Sequence, residues 1–108
     1  MFARNLAIHL KPNSLAEFTR IFDAEVLPML RKQAGFRDEI TFSTSPTGTD
    51  LIAISLWDTK EHAEAYSATV YAEVLKSLKR VLDGAPKLRV SDVISSTIHS
   101  ASAVAAAD

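Results

Sequence analysis

Leu27-Pro28-Met29-Leu30-Arg31-Lys32-Gln33-Ala34-Gly35-Phe36-Arg37-Asp38-Glu39-Ile40-Thr41-Phe42 is the stretch whose reading decides the fold. It begins as the last turns of an amphipathic helix and passes Gly35, which suits the left-handed residue just beyond a helix end. It then resumes as an alternating strand with Ile40 and Phe42 on one face. A helix that stops at a glycine and turns straight into a strand marks the middle of a repeated unit. One strand and one helix precede it; a strand, a helix and a strand follow.

Upstream, residues 2–11 alternate with period two: Phe2, Leu6, Ile8 and Leu10 share one face, and Ala3, Asn5, Ala7 and His9 share the other. Pro12 has no N–H for a ladder and ends that strand. Ser14 and Glu17 have the spacing of a capping box. Leu15, Phe18, Phe22, Val26, Met29 and Leu30 then recur at helical spacing as one apolar stripe. Pro28 interrupts the run and predicts a kink, because it removes the hydrogen bond to Ala24.

Downstream, a strand over 38–44 leads into Ser45-Pro46-Thr47-Gly48-Thr49-Asp50, the residue types of a hairpin loop. Residues 51–57 are apolar on both faces except at Ser55, the pattern of a strand covered on both sides. Asp58 or Thr59 caps a second helix with a buried stripe of Ala63, Tyr66, Val70, Val74, Leu78 and Val81. Ser67 and Thr69 predict a break near 67–69, since short hydroxyl side chains compete for backbone partners. Gly84 and Pro86 end the helix. A last strand starts near Lys87, with a slip at Asp92-Val93 that predicts a bulge. Residues 1–99 are read as one domain and 100–108 as a low-complexity Ala/Ser tail.

The order βαββαβ is the ferredoxin-like arrangement: an α+β fold with a four-stranded antiparallel sheet and both helices on one face. The other sheet face has no element left to cover it, so a homodimer stacked through the sheet face is expected.

Composition narrows the function. The 108 residues are 47% hydrophobic with a formal net charge of −1, enough for a core and without the basic stripe that nucleic acid requires. With no cysteine, disulfides and thiolate chemistry are excluded. No apolar run approaches a membrane span and the amino terminus lacks a signal-peptide layout, so a cytoplasmic protein is expected. The three glycines are scattered and make no phosphate loop; the three histidines, including His99, have no metal-ligand spacing. No cofactor and no metal are expected.

Three phrases carry a family resemblance: residues 27–37, the Ser-Leu-Trp-Asp-Thr-Lys-Glu-His-Ala-Glu-Ala-Tyr run at 55–66, and Leu-Asp-Gly-Ala-Pro at 82–86. Over about residues 3–98 the chain resembles the antibiotic biosynthesis monooxygenase (ABM) family, whose members are dimeric α+β barrels. The resemblance implies either a cofactor-independent monooxygenase of a small phenolic or quinol-like aromatic, or a non-catalytic ligand-binding or assembly module. Quinol-oxidising relatives often carry histidines where this chain has Tyr66 and Tyr71. Haem-degrading relatives use an Asn, a Trp and an axial His. Asn5 matches the first, but the others fall at Tyr66 and Lys76, and an ammonium cannot ligate haem iron.

The candidate site residues follow. His9 is the candidate base, since imidazole takes a phenolic proton near neutrality, and Asn5 the candidate donor to the developing oxyanion. Trp57, Tyr66, Tyr71 and His62 are the candidate substrate-binding residues, around a pocket between sheet and helices. Each has a plainer reading beside it. His9 as a satisfied edge-strand histidine, His62 as an exposed first-turn residue, and Trp57 as the plug at the barrel end all need no ligand.

Overall fold

The computed structural model describes residues 1–98; His99 and the Ala/Ser tail lie outside the described residues. Strands β1 (Phe2–His9), β2 (Phe36–Ser43), β3 (Asp50–Trp57) and β4 (Lys87–Asp92) form one antiparallel sheet in the order β2-β3-β1-β4. The first helical connection is α1 (Leu15–Ile21), a π-helical segment (Phe22–Val26) and α2 (Leu27–Arg31). The second is α3 (Lys60–Thr69) and α4 (Tyr71–Leu78). This is the ferredoxin-like α+β fold expected from the pattern.

The irregularities have local causes. Pro28 can donate no hydrogen bond, and the helix changes frame just before it: the Leu27 N–H donates to the Phe22 carbonyl, five residues back. The expected kink is thus a π segment one turn upstream of the proline. In the second connection the break falls at Val70, after the Thr69 hydroxyl donates to the Ala65 carbonyl at 2.7 Å. Thr59 caps α3, its hydroxyl accepting from the His62 N–H at 3.2 Å.

Two expectations are corrected. Ser14 makes no capping box: Asn13 adopts a positive φ of 58°, and the Ser14 hydroxyl donates to the Pro12 carbonyl at 3.4 Å instead. The slip at Asp92-Val93 is no bulge; β4 ends at Asp92, and the Val93 N–H donates to the Met1 carbonyl at 3.0 Å. The register irregularity lies in β2 between Phe36 and Asp38, where Arg37 turns out to pair with Asp58.

Strand phase decides which residues meet the helices. Phe2, Arg4, Leu6 and Ile8 of β1 and Leu51, Ala53, Ser55 and Trp57 of β3 face the helices and carry the core with Phe18, Ile21, Phe22, Val26, Leu30, Tyr66, Val74 and Leu78. The opposite sheet face is apolar and uncovered in the single chain. Ile52, Ile54 and Leu56 lie there beside the exposed Ile40 and Phe42 of β2, with Asn5 and His9 on the same side.

Gly35 joins the two halves. Its φ is +80°, its carbonyl accepts from the Asp58 N–H at 2.8 Å, and a Cβ there would lie 2.2–2.6 Å from the His62 imidazole and Cβ. Gly35→Ala combines positive-φ strain with that collision and is expected to lower stability by roughly 2–3 kcal/mol in urea unfolding. An unchanged midpoint contradicts this packing.

Candidate functional site

The site grows from one residue at an unexpected phase. Arg4 occupies the helix-facing side of β1, between Phe2 and Leu6, and is 2% exposed. Its guanidinium lies 4.9 Å from the Tyr66 ring centroid and 4.6 Å from that of Tyr71. Each such contact offsets about 0.5–2 kcal/mol of the cost of burying a cation, which is several kcal/mol. Arg4 enters none of the ion pairs among the described residues, and its Nε and Nη2 reach no hydrogen-bond acceptor there.

Behind Arg4 runs an aromatic series. Tyr71 tilts against Tyr66 at 6.0 Å, Tyr66 stacks on Trp57 at 4.9 Å, and Trp57 meets the edge of Phe36 at 5.6 Å. Trp57 is fully buried and donates from Nε1 to the Ser55 hydroxyl at 2.9 Å, which satisfies its polar edge inside the core.

In front of Arg4, between sheet and helices, lies a cavity lined by Arg4, Glu39, Ser55, Tyr66 and Tyr71 with apolar walls that include Leu6, Phe22 and Leu75. Its volume is about 30 Å³. That admits one or two waters, so a ring must part the walls. Leu6, Glu39, Tyr71, Leu75 and Pro86 are the partly exposed lining residues. On its other side Arg4 borders an open groove between β4 and α3 of about 400 Å³, walled by Phe2, Ala63, Ala68, Leu88 and Val90 with Lys60 and Glu64.

Burial sets the protonation of the lining groups. Desolvation pushes the Tyr66 phenol up to about 12, against the pull of the Arg4 cation. It raises the Tyr71 phenol too, with Arg4 again opposing. Glu39 is raised by desolvation, against the stabilising bond from the Thr41 hydroxyl, which donates to Oε2 at 2.7 Å. Desolvation likewise lowers Arg4.

The expected constellation is therefore divided by the sheet. Tyr66 and Tyr71 line the cavity, and Trp57 backs Tyr66. Asn5 and His9 do not join them, because neighbouring residues of a strand point to opposite faces. Asn5 instead approaches the Arg89 carbonyl and the Ser91 hydroxyl of β4 at 3.4 and 3.5 Å. His9 sits between carboxylates, Nδ1 at 2.5 Å from Asp50 and Nε2 at 3.7 Å from Asp83. His62 stays at the α3 cap, its Nδ1 3.2 Å from the Thr59 hydroxyl. Arg4, Glu39 and Ser55 are cavity residues that the sequence reading did not name. The signal for Arg4 was present: a charge at the phase of Phe2, Leu6, Ile8 and Leu10.

The Tyr66 phenol gives a pH test. An unfolded tyrosine loses its proton near pH 10, whereas folded Tyr66 keeps it to about 12. Its stabilising contribution is complete below pH 10 and is lost as pH rises through 12, on the order of 2 kcal/mol in total. Tyrosinate absorbance is expected to show both tyrosines ionising above the free value with the last step near pH 12, and Tyr66→Phe to remove that last step and part of the alkaline destabilisation. Early ionisation of both tyrosines contradicts the buried geometry.

No protein-family model and no curated protein matches the chain. Solved structures do. The monooxygenase ActVA-Orf6 of Streptomyces coelicolor, in complex with nanaomycin D, aligns with a TM-score of 0.74 at 17% identity over 92% of each chain. A Bordetella bronchiseptica protein bearing the antibiotic biosynthesis monooxygenase name aligns at 0.73 and 13% identity, over 86% of this chain and 96% of that one. The cofactor-independent oxygenase SnoaB of Streptomyces nogalater aligns at 0.65 and 16%, over 91% and 95%. Identities this low speak for architecture alone, and the architecture of this chain is that of the antibiotic biosynthesis monooxygenases.

Proposed function

We propose that the chain is a cofactor-independent monooxygenase of a small phenolic or quinol-like aromatic, acting in the cavity between sheet and helices. The observation that carries this reading is a desolvated carboxylate, Glu39, lining the same tyrosine-walled cavity as a buried arginine. Two solved proteins of this fold are oxygenases, one of them described as cofactor-independent and the other holding a small molecule.

The chemistry asks little of the protein. An anthrone-type substrate loses a ring proton to the Glu39 carboxylate, whose raised proton affinity makes it a stronger base than an exposed glutamate. The resulting carbanion passes one electron to O2; the radical pair then combines to a C–O–O⁻ peroxide. Protonation and loss of water leave a ring ketone, so CH2 plus O2 becomes C=O plus H2O. The substrate supplies all four electrons. Tyr66 and Tyr71 orient the ring, and their raised phenols stay protonated near neutral pH.

His9, the base expected from the sequence, lies against Asp50 and Asp83 on the other side of the sheet. Oxygen uptake with an anthrone panel is accordingly expected to fall at least about 100-fold in Glu39→Gln and to stay near wild type in His9→Ala and Asn5→Ala. Glu39→Gln also removes a carboxylate whose folded state favours the proton, so its thermal midpoint at pH 7 is expected to equal or exceed wild type. Full uptake in Glu39→Gln sinks the assignment. No uptake by wild type across the panel, with retained binding of a panel member, favours the non-catalytic ligand-binding alternative.

The working form in this reading is a cytoplasmic homodimer joined through the uncovered sheet face. Among the described residues no helix is long and apolar enough to cross a membrane. The support for the dimer is the apolar Ile40, Phe42, Ile52, Ile54 and Leu56 surface on a sheet whose other face already carries the helices. Light scattering is expected to give a dimer at micromolar concentration and a monomer for Ile54→Asp, in the centre of that face. A wild-type monomer ends this part of the reading.

A further inference from the structure

A buried cation is ordinarily matched by a carboxylate, and Arg4 is not. It is 2% exposed, stands clear of the ion pairs among the described residues, and presents Nε and Nη2 without an acceptor. Glu39 lines the same cavity, yet it is pulled toward protonation by burial rather than held ionised by the guanidinium. The tyrosine faces stabilise the charge of Arg4, and Tyr71 takes a side-chain hydrogen bond from it, but Nε and Nη2 are left without an acceptor. An apolar side chain of similar length at this phase would continue the Phe2, Leu6, Ile8 series without the desolvation cost. What the arginine adds is a pair of convergent N–H donors closed off from bulk solvent, the geometry that suits the two oxygens of a carboxylate or a single phenolate oxygen.

We propose that Arg4 is an anion anchor, and that the ligand of this chain is a planar aromatic carrying an ionised oxygen, seated with that oxygen on Nε and Nη2 of Arg4. The ring lies against Tyr66 and Tyr71, whose faces already flank the guanidinium. The groove between β4 and α3 meets the cavity at Arg4 and is broad enough for a bicyclic body, so it is the way in. Its apolar walls, Phe2, Ala63, Ala68, Leu88 and Val90, match an aromatic face rather than a polar metabolite. This inference rests on the cavity reading above and specifies the charge of what binds there.

The probes are 2-naphthoate and its neutral near-isostere 2-naphthamide, titrated at pH 7 against the fluorescence of Trp57, the single tryptophan, which stacks on Tyr66. Wild type is expected to bind the anion at least about 10-fold more tightly than the amide. In Arg4→Met that preference is expected to vanish while amide affinity is kept; Arg4→Lys is expected to restore part of it. Equal binding of both probes by wild type overturns the anion anchor and leaves the cavity standing. A preference that survives in Arg4→Met overturns it as well. Binding of neither probe overturns the anchor and the cavity reading together. Should Arg4→Met fail to fold, 4-nitrophenol with wild type decides by its colour: its ionisation is expected at lower pH when bound than when free, and an unshifted or raised ionisation counts against Arg4.

Discussion

The structure is organised around a guanidinium held inside the protein between two tyrosine rings. Arg4 sits on β1, whose neighbours in the sheet are β3 and β4, and nothing of it reaches bulk water beyond a sliver. Its burial demands a polarised surface on the facing helices, which Tyr66 and Tyr71 provide. Those rings in turn need a fixed backing. Trp57 gives it to Tyr66, and Ser55 satisfies the tryptophan N–H, so one strand residue locks another two positions away. Cation, rings and indole form a single packed series from the sheet to the second helical connection.

The helical irregularities let that series exist. Tyr66 belongs to α3 and Tyr71 to α4, five residues apart, a spacing that on a straight helix turns one of two side chains away from the sheet. The break at Val70, encouraged by the Thr69 hydroxyl, brings both rings to within reach of one guanidinium. In the first connection the π segment ahead of Pro28 keeps Phe22, Val26 and Leu30 on the buried side through the change of frame, and all three line the cavity opposite β1 and β3. Both helical pairs thus owe their fit to interruptions that the residues Pro28 and Thr69 announce.

The elements and their order were legible because each depends on near neighbours. Gly35, Thr59, Pro28 and the Ser67–Thr69 run act within a turn of themselves, and their effects appear in the structure where local chemistry puts them. The capping box at Ser14 failed for an equally local reason, the left-handed Asn13 before it. The candidate site was half legible. Tyr66 and Tyr71 line the cavity and Trp57 backs it, because an aromatic stripe on a core-facing helix must meet the sheet. Asn5 and His9 are polar residues at positions that the family resemblance assigns to the pocket, yet strand alternation sets them on the opposite face from Arg4.

By itself, the sequence determined the period of every element, and hence the βαββαβ order and the two faces of each strand. Periodicity is a property of the chain alone: side chains alternate on a strand whether or not anything covers it. Tertiary structure decided which face of β3 turned inward. In β3 both faces are apolar, so hydrophobicity is silent on the matter; the inward phase follows from Trp57 finding Tyr66 and Ser55 as partners. In β1 the apolar phase of Phe2, Leu6 and Ile8 carries Arg4 inside and Asn5 outward with His9, but what Arg4 meets there is a tertiary matter. A buried charge is stabilised by groups distant in sequence, here two rings more than sixty residues away, and that pairing exists only once the helices have closed over the sheet.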